Sequence, residues 1–151
     1  MVPNRIEREI LIEAPVDVVW AVVTEPQHIS SWFSHFAELE LRPGGDLLLQ
    51  WDEYGRVHGL VERVEPPHFF SFRWMVEPGH ELTEDVSTLV EFSLTAEGAS
   101  TRLRVVESGF ADLALPDEER QRHLDSHGRG WTQELGELDE YVRTSARPGG
   151  R

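Results

Sequence analysis

The 151-residue sequence contains no cysteine and no lysine, since all 14 of its basic residues are arginine. Without cysteine there is no disulfide, no thiolate nucleophile and no thiolate metal ligand. Without lysine there is no side-chain amine to form a Schiff base. These absences exclude catalysis by a cysteine nucleophile and by a lysine Schiff base.

Long apolar runs are also missing. The longest are only a few residues, far below the roughly 20 that cross a bilayer, so membrane insertion is not expected. The first ten residues, MVPNRIEREI, lack the basic stretch and apolar segment of a secretory signal, which predicts a cytoplasmic location. With 39% hydrophobic and 28% charged residues, the composition is typical of a soluble globular protein.

The formal charge of −14 comes from 28 acidic residues against 14 arginines. An acidic surface repels phosphate backbones unless basic residues are segregated on one face. The arginines are scattered along the chain, so a nucleic-acid partner is not expected. The charge itself is interpreted as a solvated, acidic surface.

The chain alternates short elements with clear turn signals. Residues 5–13 alternate apolar and charged side chains, which predicts a strand. Residues 15–24 form a first helix, with Pro15 in its first turn. Thr24 and Gln27 have the spacing of a capping box, which predicts that a second helix begins at this corner and ends near Phe33.

Six further strands are predicted between the turns that follow. They cover residues 36–41, 47–51, 57–64, 69–76, 88–95 and 101–110. Pro116 and three acidic residues then open a long helix, whose apolar side chains recur at helical spacing on one face. Those apolar side chains are Leu124, Trp131, Leu135, Leu138 and Val142. The fold class is α+β, with one domain over residues 1–143 and a disordered tail over 144–151.

Five segments in this order resemble the START-like (SRPBCC) superfamily, in its branch related to the activator of heat-shock ATPase. They are APVDVVWAVVTEPQHISSWF, RPGGDLLLQ, GLVERVEPPHFFSFRW, VEFSLTAEGASTRLRVVESGF and HGRGWTQELGELDEYV. The resemblance covers about residues 5–143. It implies a helix-grip fold, a curved antiparallel sheet of about seven strands around a long C-terminal helix, with two short helices after strand one. It also implies an internal cavity of the kind that members use for lipids, polyketides and other apolar ligands.

Aromatic side chains on the predicted strands and long helix are candidates for the wall of that cavity. Glu107 is added because it alternates with Leu103 and Val105, opposite to Arg102 and Arg104. It would either be a polar anchor or general base inside the cavity, or reach water where the strand ends. The full set of candidates is Trp32, Phe36, Trp51, Phe70, Phe72, Trp74, Phe92, Glu107, His127 and Trp131.

Two features of the long helix leave alternatives open. His123 and His127 are spaced by four, but no third ligand is evident, so no metal site is predicted. His127 matches a histidine of the resembling family, which implies a cavity-lining or helix-packing role. Gly128, Gly130 and Gly136 weaken the helix, either to allow a close approach or because the helix kinks or frays.

No G-x-S-x-G motif and no spaced triad of serine, histidine and acid is present, so the sequence identifies no catalytic chemistry. We therefore expect a protein that binds an apolar or aromatic small molecule, lipid-like or polyketide-like, in its cavity without a cofactor. A cyclase or hydrolase acting in the same cavity is one alternative. A co-chaperone or stress-response interaction module is the other, and both a protein partner and a homodimer are left open.

Overall fold

A computed structural model describes residues 3–76 and 84–146, and its main element is one seven-stranded antiparallel sheet. In chain order the strands are β1 (Arg5–Ile12), β2 (Phe36–Leu39), β3 (Asp46–Trp51), β4 (Gly55–Glu65), β5 (Phe69–Met75), β6 (Ser87–Glu97) and β7 (Ser100–Ser108). Their spatial order is β1-β7-β6-β5-β4-β3-β2, so β1 and β2 form the two edges. The predicted seven-stranded antiparallel sheet is confirmed.

Two short helices follow β1, as predicted. Helix α1 covers Val16–Thr24 and α2 covers Pro26–Trp32. The predicted capping box is wrong, because α2 has Glu25 as its N-cap residue and no side-chain cap. The Thr24 hydroxyl instead donates to the carbonyl oxygen of Trp20 inside α1, at 2.7 Å. The second helix therefore begins with Pro26, which fits the first turn because its missing N–H would have no partner there.

The long helix α3 (Asp117–Tyr141) packs across the concave face of the curved sheet, which is the helix-grip arrangement. Three acidic residues occupy its first turn, where the helix dipole favours negative charge. All five apolar residues of the predicted stripe are buried. A short π-helical stretch, Val142–Ala146, follows α3 and crosses the predicted boundary of the tail. Residues 147–151, the rest of that tail, lie outside the described residues.

Strand alternation places the large side chains of β5 on the concave face. Phe70, Phe72 and Trp74 are each at most 6% exposed and lie over the core. A β-bulge between Val61 and Arg63 shifts the register of β4 against β5. None of the helices within residues 3–76 and 84–146 combines the length and apolar character needed to cross a membrane.

The predicted cavity residue Phe36 does not face the interior of the protein. Ala37 and Leu39 occupy the inward face of this strand, so Phe36 lies on the opposite face and is 43% exposed. Its inclusion among the predicted cavity residues is therefore wrong, because neighbouring side chains of a strand point to opposite faces.

Candidate functional site

Glu107 on β7 is completely buried and accepts hydrogen bonds from four side chains. The Thr88 hydroxyl donates at 2.5 Å, the indole N–H groups of Trp74 and Trp131 at 2.9 and 2.8 Å, and His127 Nδ1 lies 2.8 Å from the nearer carboxylate oxygen. We call these five residues the Glu107 cluster. A buried carboxylate needs such donors, because desolvation otherwise disfavours its charge.

The fold brings the cluster together from three adjacent strands and α3. Trp74 on β5 pairs directly with Thr88 on β6, and β7 lies on the far side of β6. His127 and Trp131 are four residues apart on α3, so both point to the same side of the helix. Their two ring N–H groups reach the carboxylate from above, while Trp74 and Thr88 reach it within the sheet.

The hydrogen bonds define the charges of Glu107 and His127. His127 Nε2 lies 3.0 Å from the carbonyl oxygen of Val76, which can only accept, so Nε2 carries a proton. Because Trp74, Thr88 and Trp131 all donate to Glu107, the carboxylate is an acceptor, and His127 Nδ1 supplies a further proton. The pair is therefore a carboxylate and an imidazolium, joined inside the protein.

The pKa shifts agree with this ion pair. Burial opposes the charged form of Glu107, but the His127 charge and the hydrogen bonds from His127, Thr88 and Trp74 outweigh it and lower its pKa. Burial likewise opposes the charge of His127, whereas the Glu107 carboxylate and the Val76 carbonyl raise its pKa. The pair is neutral as a whole, which makes it compatible with its buried position.

A cavity of about 270 Å³ lies beside the cluster, between α3 and the sheet. Aromatic and aliphatic side chains form most of its wall, and α3 contributes the polar residues. The lining residues are Phe33, Trp51, Tyr54, Val57, Trp74, Met75, Val76, Ser126, His127, Gly130, Trp131 and Glu134. Glu107 is not among them, so it lies behind the wall and holds Trp74, His127 and Trp131 in place.

The rings of the cavity wall pack against one another in fixed orientations. Phe33 stacks on Trp131 and on Trp74, with ring centroids 5.5 and 5.9 Å apart. The Trp51 ring meets Phe33 edge to face at 5.3 Å, and its N–H donates to the Phe33 carbonyl oxygen at 2.8 Å. All three indole N–H groups of the wall are thus bound within the protein. The rings therefore offer a ligand their carbon surfaces and no N–H donor.

Glu134 is the acidic residue of this wall, and it was missed by the sequence analysis. Its Oε1 atom is buried and has no hydrogen-bond partner among the residues described. Burial, with the Glu137 carboxylate nearby, raises the pKa of Glu134 to about 8. The signal that could have found it is its spacing, because Ser126, Gly130 and Glu134 recur every four residues next to His127 and Trp131.

Four other predicted residues belong to the packed core. Trp32, Phe70, Phe72 and Phe92 surround a second void of only about 20 Å³, which is too small for any organic ligand. Phe70 and Phe92 stack at 6.1 Å, and each of the four side chains is at most 4% exposed. The structure thus brings Trp51, Trp74, His127 and Trp131 to the larger cavity, and it separates these four core residues from it.

The three glycines of α3 have different surroundings. A Cβ on Gly128 would lie 3.1 Å from Arg8 Nη2, so this glycine allows β1 to approach the helix closely. Gly130 and Gly136 have open space at that position, with Gly130 at the cavity and Gly136 exposed. Among the described residues no group of three or more side chains could hold a metal ion.

Residues 13–143 match the family described as activator of Hsp90 ATPase homolog 1-like protein. No curated protein sequence matches the chain at a significant level. The family match covers most of the chain and includes every residue of the cavity wall.

Solved structures show the same fold. A protein in the dynemicin biosynthetic locus, DynU16, superposes with a TM-score of 0.76 at 24% identity, over 99% of this chain, which spans about half (51%) of that one. CalU16 from Micromonospora echinospora is 28% identical with a TM-score of 0.70, over 91% of this chain and 75% of that one. The Aha1 dimer from Colwellia psychrerythraea is 16% identical with a TM-score of 0.72, over 93% of this chain and 96% of that one.

Proposed function

This chain belongs to the activator of Hsp90 ATPase homolog 1-like family, and we propose that it binds a small apolar or aromatic molecule in the cavity between its sheet and α3. The observation that carries the proposal is the aromatic wall, in which Phe33, Trp51, Trp74 and Trp131 surround about 270 Å³. This volume lies just below the roughly 300 to 1,000 Å³ found for ligand pockets. It suits a ligand of the size of one or two fused rings.

The wall is built to keep its shape without a ligand. Glu107 fixes Trp74 and Trp131 through their N–H groups, and the Phe33 carbonyl fixes Trp51. A site whose side chains are already held in place loses little conformational freedom when a ligand binds. The Glu107 cluster therefore supports binding by organising the aromatic wall in advance.

Catalysis in the same cavity has less support. A general base must present a free lone pair to the substrate. Both ring nitrogens of His127 are bound, one to Glu107 and one to the Val76 carbonyl, and Glu107 lies behind the wall. Glu134 is then the remaining carboxyl group of the cavity lining, and its buried Oε1 atom has no hydrogen-bond partner among the described residues. Ligand binding is the simpler function for this arrangement.

An interaction module would expose a continuous apolar surface. The exposed large apolar side chains of the described residues are few: Leu11 on β1, Phe36 on β2, Leu41 just after β2, and Tyr54 between β3 and β4. The Colwellia protein is a dimer. For the present chain a homodimer, a protein partner and a cytoplasmic location remain predictions.

The experiment uses prodan, a neutral naphthalene dye whose emission depends on the polarity of its surroundings. We expect it to bind to the folded protein with a single equivalent at saturation, and to change the emission of the tryptophans in the wall. Gly130→Leu places a branched side chain at the cavity, where a Cβ has open space, and should remove this binding while the protein stays folded.

The matched control is Gly136→Leu, which makes the same change on the same helix at an exposed position outside the cavity. It should bind prodan like the wild type. Prodan binding that appears only when the protein unfolds, or that survives in Gly130→Leu, would refute the proposed site.

A further inference from the structure

The charges around the cavity are unbalanced. No arginine occurs among its described lining residues, and the one cationic side chain there, His127, is neutralised by Glu107 behind the wall. Glu134 is an acidic group without a counter-charge among those lining residues, and the Glu137 carboxylate on α3 adds negative charge near it. The cavity wall therefore favours a positively charged ligand over a neutral or negatively charged one.

The unpartnered oxygen of Glu134 points to the same class of ligand. Oε1 is buried but makes no hydrogen bond within the described residues. A buried polar atom without a partner is destabilising, and a positive charge held close to the carboxyl group offsets this cost. A cation next to Glu134 would also favour its ionised form, because an opposite charge counteracts desolvation.

The aromatic wall supplies the second half of the site. Ring faces carry partial negative charge and attract ammonium groups, most strongly for tryptophan. The indole N–H groups of Trp51, Trp74 and Trp131 all donate within the protein, so none of them is left to donate to an acceptor atom of a ligand. Several aromatic rings around a carboxyl group form the arrangement that recognises organic cations.

We infer that the ligand is an organic amine, whose ammonium group lies among the rings of Phe33, Trp51 and Trp131 beside the Glu134 carboxylate. This inference rests on the proposed function, and it adds the chemical class of the ligand. The ammonium group would be protonated or quaternary, attached to an apolar or aromatic body that fills the rest of the 270 Å³. The overall charge of −14 further favours the approach of a cation.

The test compares two probes of nearly the same shape. Phenyltrimethylammonium and tert-butylbenzene differ by one positively charged nitrogen in place of a carbon. Dissociation constants come from titration of tryptophan fluorescence, at about pH 8.5, where more of Glu134 is ionised. We expect the cation to bind the wild type at least about tenfold more tightly, as cation–π contacts together with a carboxylate provide.

Glu134→Gln keeps the shape of the side chain and removes its charge. It should weaken phenyltrimethylammonium binding about tenfold and change tert-butylbenzene binding less than about twofold, since only the cation interacts with the charge. Glu140→Gln is the control, because it removes one negative charge from an exposed position of α3. It should leave both dissociation constants as in the wild type.

The outcomes separate the inference from the proposed function. If tert-butylbenzene binds as well as the cation, or if Glu134→Gln binds the cation like the wild type, the amine inference is wrong while cavity binding stands. If neither probe binds and Gly130→Leu leaves the prodan titration unchanged, both are wrong.

Discussion

Glu107 is a single residue on which the arrangement of the cavity wall depends. Its carboxylate joins β7 to β5, β6 and α3 through four donors, and His127 supplies its counter-charge. The direction of its side chain could be predicted, because Arg102 and Arg104 mark the opposite face of the strand. Its distance from the cavity could not, because the sequence does not show that Trp74 and Trp131 lie between.

Glu107→Gln should destabilise the protein strongly. The substitution leaves the imidazolium of His127 buried without its counter-charge, and loss of one partner of a buried ion pair costs about 3 to 5 kcal/mol. The free energy of unfolding from urea denaturation at neutral pH measures the effect. Glu7→Gln is the matched control, because Glu7 forms a surface ion pair with Arg104. Equal losses in the two variants would contradict the role assigned to Glu107.

At the scale of elements, α3 forms one wall of the site and closes the core. Its buried stripe followed from helical spacing, and all five residues are confirmed. Glu134 could not be assigned to the cavity in the same way, since it is a charged residue beside that stripe and the sequence gives no sheet curvature. Phe36 shows the opposite error: it is a large aromatic residue, but Ala37 and Leu39 take the inward face of the short edge strand β2.

The glycines of α3 provide a test of how the helix meets the sheet. Gly136→Ala should stabilise the protein by up to about 1 kcal/mol, because alanine is the better helix former and its Cβ meets open space. Gly128→Ala should gain much less or lose stability, because its Cβ would press on Arg8 Nη2, which donates to the Gly128 carbonyl at 3.2 Å.

Thermal or urea denaturation of the two variants, measured side by side, gives the comparison. Similar gains for Gly128→Ala and Gly136→Ala would show that Arg8 moves aside freely. The close approach of β1 to α3 would then not require glycine at position 128.

At the scale of the whole molecule, the dependence of stability on pH combines several buried groups. The lowered pKa of Glu107 and the raised pKa of His127 mean that their ion pair stabilises the fold between those two values. Its contribution is lost as pH falls through the Glu107 pKa and as pH rises through the His127 pKa. Glu134 contributes only a loss of stability as pH rises, because its pKa is raised from 4.5 to about 8.

Glu134 should therefore make the protein less stable as pH rises. Between about pH 4.5 and 8 the folded chain binds more protons at this site than the unfolded chain, so the free energy of unfolding falls. Glu134→Gln removes this dependence and should be more stable than the wild type above pH 8, by an amount on the order of 1 kcal/mol after allowance for solvent screening.

Urea denaturation of both proteins across this range measures the difference between them. Glu140 is exposed on the same helix, so Glu140→Gln should show the same dependence of the free energy of unfolding on pH as the wild type. A constant difference between Glu134→Gln and the wild type at all pH values would contradict the raised pKa of Glu134.

The ion pair also has a consequence for the order in which the protein forms during synthesis. Glu107 lies on the last strand, and His127 and Trp131 lie on α3, the last long helix of the described chain to leave the ribosome. Until α3 emerges, the Glu107 carboxylate has no counter-charge from His127, and the aromatic concave face of the sheet is uncovered. The nascent chain therefore exposes this aromatic surface until α3 has been synthesised, and docking of α3 covers the surface and neutralises the charge in one step.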